Sequence, residues 1–252
     1  MEQNYRFCFQ ENQFFGDCIP CTPTVFNNAI DNATVAWKIE TRQKVETAIS
    51  EGKSLDSFAQ EPEFVNFCKK KQNEKNFSSL SLTMQLMQWT TSLKSSLPCF
   101  IFGVKDFVMV EKTDKEGNPV LDKDGKPVLY HRRKLENIEH LSGEFMFDAD
   151  KLTIDPKEIF ERTLVPGFTW KVLLAHKTSS GHGLRLVCEA RPELGNIADN
   201  QICLARDLGL MGMKGSTGKP VVDDSCIDAT RISYCPRRED IYYVDEQYLF
   251  NF

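Results

Sequence analysis

The pattern of apolar and polar positions divides the chain into two parts. In the first part, apolar residues recur at helical spacing in segments 41–51, 62–75 and 82–93. Pro62 stands in the first turn of the second segment, a position that proline favours. The pattern therefore predicts a mostly helical N-terminal region, residues 1–98, that packs on the rest of the chain.

After residue 98 the pattern changes to short runs rich in β-branched and aromatic residues, beginning with FIFGV and FVMVEK. Two copies of a short repeat follow, DKEGNPVL and DKDGKPVL, each with a turn signal ahead of an apolar pair. They predict a hairpin insertion near residues 108–133. The acidic residues of the repeat lack the spacing of an EF-hand loop, so calcium is not expected there.

Beyond the insertion, strand-like and helix-like segments alternate. Asp155 and Pro156 are residue types that favour the N-cap and the first turn of a helix. Strands are predicted over 138–147, 170–176, 183–189, 231–235 and 241–244, and helices over 155–164 and 194–208. The predicted class is α+β, with a core spanning 99–252 in which helices cover a mostly antiparallel sheet.

Composition narrows the class of function. The chain has 252 residues and a formal net charge of -5, which argues against a surface coated with basic groups for nucleic acid. Any phosphate binding must therefore be local. The sequence has neither a run of about 18 apolar residues nor the pattern of a signal peptide at its start, so we expect a cytoplasmic protein without a membrane partner.

The nine cysteines include one close pair, Cys18 and Cys21. A structural zinc site needs four ligands, and although Cys8 and Cys68 could complete one, nothing in the spacing requires it. Reduced thiols buried as small apolar groups are the favoured interpretation.

The first candidate for chemistry is Asp148-Ala-Asp150, at the end of an apolar run. Residues two apart in a strand point to the same face, and two carboxylates held together repel unless a cation or proton lies between them. Mg²⁺ and Mn²⁺ prefer such oxygen ligands. The alternative is a strand end with two solvated acids.

The second candidate is the segment KTSSGHGLR, residues 177–185. Gly181 and Gly183 allow a ligand to approach the backbone, and successive amides there can bind an anion. Further donors come from side chains along the segment: Lys177, Ser179, Ser180, His182 and Arg185. The segment predicts a phosphate site, and the alternative is a plain hairpin turn.

The third candidate is residues 222–234. Asp223 can complete the set of carboxylates, with Asp224 and Asp228 as rivals. Arg231 can clamp a triphosphate with its planar guanidinium. The alternative is an acidic loop held by a salt bridge between Asp228 and Arg231.

The order and spacing of these three segments resemble the archaeo-eukaryotic primase superfamily, which includes primase-polymerases. Residues 145–150 resemble its first motif, 178–185 its second and 222–231 its third. The chain is most similar to the VirE N-terminal-type primase-like domains of bacterial mobile elements and to CRISPR-associated primase-polymerases. The resemblance covers about residues 90–250 and implies a primase-like core with an RRM-like sheet.

The resemblance implies a template-dependent nucleotidyltransferase that adds nucleotides to a 3′-hydroxyl by a two-metal mechanism. Two Mg²⁺ or Mn²⁺ ions are expected on Asp148, Asp150 and Asp223. The triphosphate is expected on the second and third motifs: Lys177, Ser179, Ser180, Gly181, His182, Arg185 and Arg231. Expected partners are a DNA or RNA template and primer, NTP or dNTP substrates, and a helicase or CRISPR adaptation proteins.

The basic patch YHRRK is a candidate for the template strand through Arg132, Arg133 and Lys134, as are Arg237 and Arg238.

One position departs from the family. Many members carry His where this chain has Arg185, and arginine contacts phosphate without changing its charge near neutral pH. His182 lies three residues earlier, and strand alternation predicts that it points to the opposite face.

Three alternatives stay open. The same acids and metals can cut phosphodiesters in a metal-dependent nuclease. The fold can also serve as a non-catalytic nucleic-acid or nucleotide-binding module with a degenerate site. A DxD glycosyltransferase ranks last, because it has no use for the third motif.

Overall fold

The computed structural model describes residues 5–14, 16–223 and 227–250. It is a mixture of helices and antiparallel sheets, as the sequence predicts for an α+β protein. The helices are α1 Pro23–Ile30, α2 Ala33–Ser50, α3 Asp56–Ala59, α4 Pro62–Lys71, α5 Leu82–Ser95, α6 Pro156–Glu161, α7 Ile197–Asp207 and α8 Glu246–Phe250. The strands are β1 Cys8–Gln10, β2 Ile19–Pro20, β3 Cys99–Ile101, β4 Val104–Phe107, β5 Met109–Glu111, β6 Leu129–His131, β7 Ile138–Leu141, β8 Glu144–Ala149, β9 Val172–Lys177, β10 Leu184–Glu189, β11 Ser233–Tyr234 and β12 Ile241–Val244.

The larger unit is a four-stranded sheet in the order β12-β9-β10-β8, with antiparallel neighbours throughout. Helix α6 connects β8 to β9, and β10 is inserted between these two strands. Helix α7 lies between β10 and β12 in the chain, and β9 separates them in the sheet. The sheet therefore contains two interleaved β-α-β units.

A second sheet, in the order β11-β3-β1-β2, joins the beginning of the chain to its end. Phe7, just before β1, is fully buried in a cluster of aromatic rings. Its ring centroid lies 4.6 to 6.5 Å from the rings of Phe26, Phe100, Phe102 and Phe250. The N-terminal segment thus shares its core with residues from the middle and from the C-terminal part of the chain.

Local sequence explains where the main helices begin. The side chain of Asn32 accepts from the amides of Thr34 and Val35 and caps α2. Asp155 caps α6 by accepting from the amide of Lys157, and Pro156 is the first residue of that helix. The N-cap predicted at Asp155 is therefore confirmed.

The single strand predicted over 138–147 is wrong in one respect. The structure has two strands there, β7 and β8, separated by Gly143 at a φ of 87°. Strand β7 pairs with β4, whereas β8 enters the large sheet. A backbone conformation that favours glycine redirects the chain at this point.

The repeat lies between two paired strands, β5 and β6. In each copy an aspartate, Asp114 or Asp122, closes the turn by accepting from backbone amides two and four residues later. In the part of the chain that the structure describes, no helix has the length and apolar character needed to cross a membrane.

Replacing Phe7 with alanine tests the shared core. We expect the free energy of unfolding to fall by about 3–5 kcal/mol, because a buried phenylalanine leaves a cavity. Phe14, which is 64% exposed, provides the matched control, since Phe14→Ala should change stability by less than about 1 kcal/mol. Urea unfolding measures both. Equal losses in the two variants would show that the N-terminal segment is not part of the core.

Candidate functional site

Three aspartates lie on one face at the end of β8 because residues 221–223 run antiparallel beside it. The amide of Asp223 donates to the carbonyl of Asp148 at 3.0 Å, and the amide of Asp150 donates to that of Val221 at 2.7 Å. Asp223 therefore lies directly across from Asp148, and Asp150 follows two residues after Asp148. Side chains in these positions share one face of the sheet.

Arg185 lies on the other side of Asp148, at the opposite position in β10. Its Nη2 donates to Oδ2 of Asp148, and both side chains are buried. Oδ1 of Asp148 is also buried and has no hydrogen-bond partner among the described residues. Burial raises the pKa of Asp148 above its usual range, Arg185 opposes this, and Asp150 and Asp223 reinforce it.

His176 occupies the next position in this row, on β9 opposite Arg185. Its Nδ1 lies 2.8 Å from the carbonyl of Lys177, which can only accept, so Nδ1 carries the proton. Nε2 then accepts from the hydroxyl of Ser233 at 3.2 Å. Burial, helped by the charge of Arg185, lowers the pKa of His176 to about 4, so the imidazole is neutral at physiological pH.

The second motif forms a tight turn against the first. The amide of Gly181 donates to the carbonyl of Thr178, and Gly181 has a φ of 81°. A Cβ atom on Gly183 would lie 2.6 Å from Oγ1 of Thr178 and 2.7 Å from Oδ1 of Asp150. Glycine is therefore required at 183, where the turn packs directly beside the Asp150 carboxylate.

These segments surround a cleft of about 650 Å³. Residues from all three predicted motifs line it: Asp148, Asp150, Ser179, Ser180, His182, Arg185, Asp223 and Arg231. The expectation that His182 points away from the site is wrong. His182 lies in the turn before β10, where strand alternation does not apply, and its carbonyl accepts from the amide of Leu152.

Other predicted residues lie elsewhere. Nζ of Lys177 is 3.6 Å from Asp240, and Lys177 is not part of the cleft lining. The amide of Gly181 is used within the turn. Arg237 and Arg238 make ion pairs with Asp240 and Asp31, respectively.

The basic patch is divided. Arg133 lines the cleft and donates to the carbonyls of Thr230 and Gln13. Arg132 and Lys134 do not line it, and Lys134 is paired with Glu136 at 2.8 Å.

The side chains of Asp228 and Arg231 do not form the salt bridge that the alternative interpretation of the third motif predicted. Arg231 pairs with Asp223 at 3.2 Å, whereas the carboxylate of Asp228 accepts from Thr230. Asp224, the other rival to Asp223, lies outside the described residues.

The chemistry of the acidic set suits a hard divalent cation, because its carboxylates share one face and Oδ1 of Asp148 is buried with no hydrogen-bond partner in the described part of the chain. As they stand, no three His, Cys, Asp or Glu side chains within 5–14, 16–223 and 227–250 are gathered closely enough to hold a metal ion. Arginine takes one oxygen of Asp148 and one of Asp223 instead. At the Cys18–Cys21 pair, burial raises the pKa of both thiols, that of Cys18 to about 12, which disfavours the thiolate.

Sequence reasoning missed several residues of the cleft. They are Gln13, Arg42, Glu46, Lys94, His176 and Tyr234. Arg42, Glu46 and Lys94 lie on helices of the N-terminal region, where helical periodicity shows which face is apolar but not what the polar face contacts. His176 had a signal, since a hairpin register that pairs residue 177 with 184 places it opposite Arg185.

Comparison of the chain with protein-family models, curated proteins and solved structures gave no significant match. The evidence for function therefore lies in the residues of the site and their chemistry.

The neutral state of His176 predicts a pH dependence of stability. The unfolded state takes up a proton near pH 6.5 and the folded state only near 4, so His176 contributes full stability above about 6.5. That contribution, up to about 3 kcal/mol, is lost as the pH falls towards 4.

Urea unfolding of the wild type and of His176→Gln at several pH values isolates this contribution. Glu144, whose pKa burial raises to about 7, has the opposite slope, so only the difference between the two proteins is informative. We expect that difference to shrink as the pH falls. A difference that is independent of pH would show that the imidazole titrates normally.

Proposed function

We propose that this protein is a template-dependent nucleotidyltransferase of the primase-polymerase kind. One observation carries the proposal: three segments that are far apart in the chain border a single cleft, with carboxylates beside a turn rich in donors. Phosphoryl transfer depends mainly on positioning and charge, and this arrangement supplies both. The β-α-β order of the large sheet supports a primase-like core.

Asp148, Asp150 and Asp223 are the residues that would hold Mg²⁺ or Mn²⁺. Such ions supply activation of a hydroxyl nucleophile and neutralisation of charge on the leaving phosphate. Asp148 is buried and fixed by Arg185, so its position is set before any ligand arrives. Asp150 and Asp223 are only partly buried and face the cleft, where a cation can reach them from solvent.

On this proposal, the phosphates of the nucleotide bind at the turn. Ser179 and Ser180 supply hydroxyl donors there, and His182 lines the cleft beside them. Arg231 also lines the cleft, where its side chain is 42% exposed and pairs with Asp223, whose side chain is 26% exposed. An exposed ion pair of this kind contributes little, so Arg231 can exchange it for phosphate at small cost.

Arg185 has a different role from the histidine that many primases carry at this position. It is buried against Asp148, keeps its charge throughout the accessible pH range and orients that carboxylate. Proton transfer therefore does not fall to this position. The neutral His176 beside it adds no further charge to the row.

The template is expected to be DNA or RNA, and Arg133 is the residue of the basic patch that borders the cleft. Template contacts through phosphate would weaken steeply with salt. A helicase or CRISPR adaptation proteins as further partners, and the cytoplasm as the location, stay predictions from the resemblance and the composition.

Replacing Asp150 with asparagine tests the proposal more cleanly than replacing Asp148, because loss of Asp148 would remove the carboxylate that pairs with the buried Arg185, at a cost of about 3–5 kcal/mol. We expect primer extension with Mn²⁺ or Mg²⁺ to fall by more than the roughly 10–100-fold that loss of an outer-shell group costs. The unfolding midpoint should stay close to that of the wild type.

Asp124→Asn is the matched control, since Asp124 is exposed on the hairpin and its loss should not affect extension. Retained synthesis in Asp150→Asn would contradict the metal assignment. A wild type that cleaves labelled DNA without nucleotides and never extends a primer would favour the nuclease instead.

A further inference from the structure

Helices α2 and α5 bring two cations into the cleft. The helices pack together through a cluster that includes Val45, Leu86, Trp89 and Leu93. Arg42 and Glu46 are four residues apart on the face of α2 that borders the cleft. Lys94 of α5 also lines the cleft. The N-terminal region therefore forms one wall of the candidate site.

Arg42 is bound to the proposed phosphate turn. Its Nη1 donates to the hydroxyl of Ser179 at 2.7 Å, and its Nε donates to Glu46 at 2.7 Å. The neighbouring Gln43 donates to the carbonyl of Ser179 at 3.4 Å. The side chain of Arg42 is only 12% exposed, so its guanidinium is held in place beside the turn.

Lys94 is a half-buried cation placed among other cations. Among the described residues, its ammonium makes no salt bridge and no hydrogen bond, and it lies 5.0 Å from the centre of the Tyr234 ring. Burial lowers the pKa of Lys94, and the charges of Arg42 and Arg185 lower it further. The charges of Asp148 and Asp150 act in the opposite direction but do not reverse the lowering of the Lys94 pKa. A cation kept under such repulsion gains strongly when an anion enters.

We infer that Arg42 and Lys94 bind the phosphate chain of the nucleotide, so that the N-terminal helices complete the nucleotide site. The identity of the ligand rests on the function proposed above. The phosphate chain is favoured over the template backbone because Arg42 is bonded to Ser179, within the turn that packs on Asp150. An anion in the cleft beside this turn would have Arg42 and Lys94 in the wall of the same cleft.

Calorimetric titration with inorganic tripolyphosphate, without metal or template, tests the inference. We expect Lys94→Met and Arg42→Gln each to weaken tripolyphosphate binding roughly 10-fold or more, because each removes a charged contact. Lys94→Arg should restore most of the affinity, which a merely structural role of the lysine would not predict. Lys44→Met is the matched control, since Lys44 lies on α2, is exposed and does not line the cleft.

A labelled single-stranded oligonucleotide separates the two sources of phosphate. Its affinity should change less than that of tripolyphosphate in both variants. Unchanged tripolyphosphate binding in Lys94→Met, or a loss confined to the oligonucleotide, would overturn the inference. If Lys94→Met lowers the unfolding midpoint, Lys94→Gln, which keeps a polar group at the position, gives the deciding titration.

The two proposals fail separately. A wild type that binds tripolyphosphate through Lys94 but never extends a primer would overturn the polymerase function and leave the anion site standing. A wild type that extends primers while Lys94→Met binds tripolyphosphate normally would overturn this inference alone.

Discussion

Repulsion between carboxylates at the end of β8 is the constraint on which the site depends. Backbone hydrogen bonds fix Asp223 directly across from Asp148, so neither side chain can move away without breaking the pairing. Like charges in opposite positions of a sheet destabilise it. The structure offsets this cost with one arginine on each acid, Arg185 and Arg231.

The two arginines differ in a way that suits a binding site. Arg185 is buried in the sheet and holds Asp148 in a fixed position. The side chain of Arg231 is 42% exposed, so its ion pair with Asp223 is weak and can be exchanged. Lys94 is in the corresponding situation for positive charge, because it is a cation held near the cations Arg42 and Arg185. The cleft thus contains repulsion between carboxylates and repulsion between cations. A bound metal ion would relieve the first, and a bound polyanion would relieve the second.

Sequence alone predicted the α+β class and the N-cap at Asp155, and from each of the three motifs it named residues that line the cleft, although Lys177 and Gly181 do not line it. Those predictions rest on local rules: alternation in strands, capping, and the need for glycine where the backbone turns. The break at Gly143 and the position of His182 were missed, because strand alternation says nothing about where a strand ends. Arg42 and Lys94 were missed because their place depends on how α2 and α5 pack on the sheet.

Binding of Mn²⁺, followed by calorimetry and by the unfolding midpoint, tests the central claim most directly. If the acids repel as described, the wild type should bind Mn²⁺ saturably and gain about 2.7 kcal/mol of stability at a concentration near 100 times Kd. Asp223→Asn, which keeps the shape but removes one of the facing charges, should lose most of this gain. Equal Mn²⁺ stabilisation in both proteins, or none in the wild type, would contradict the account.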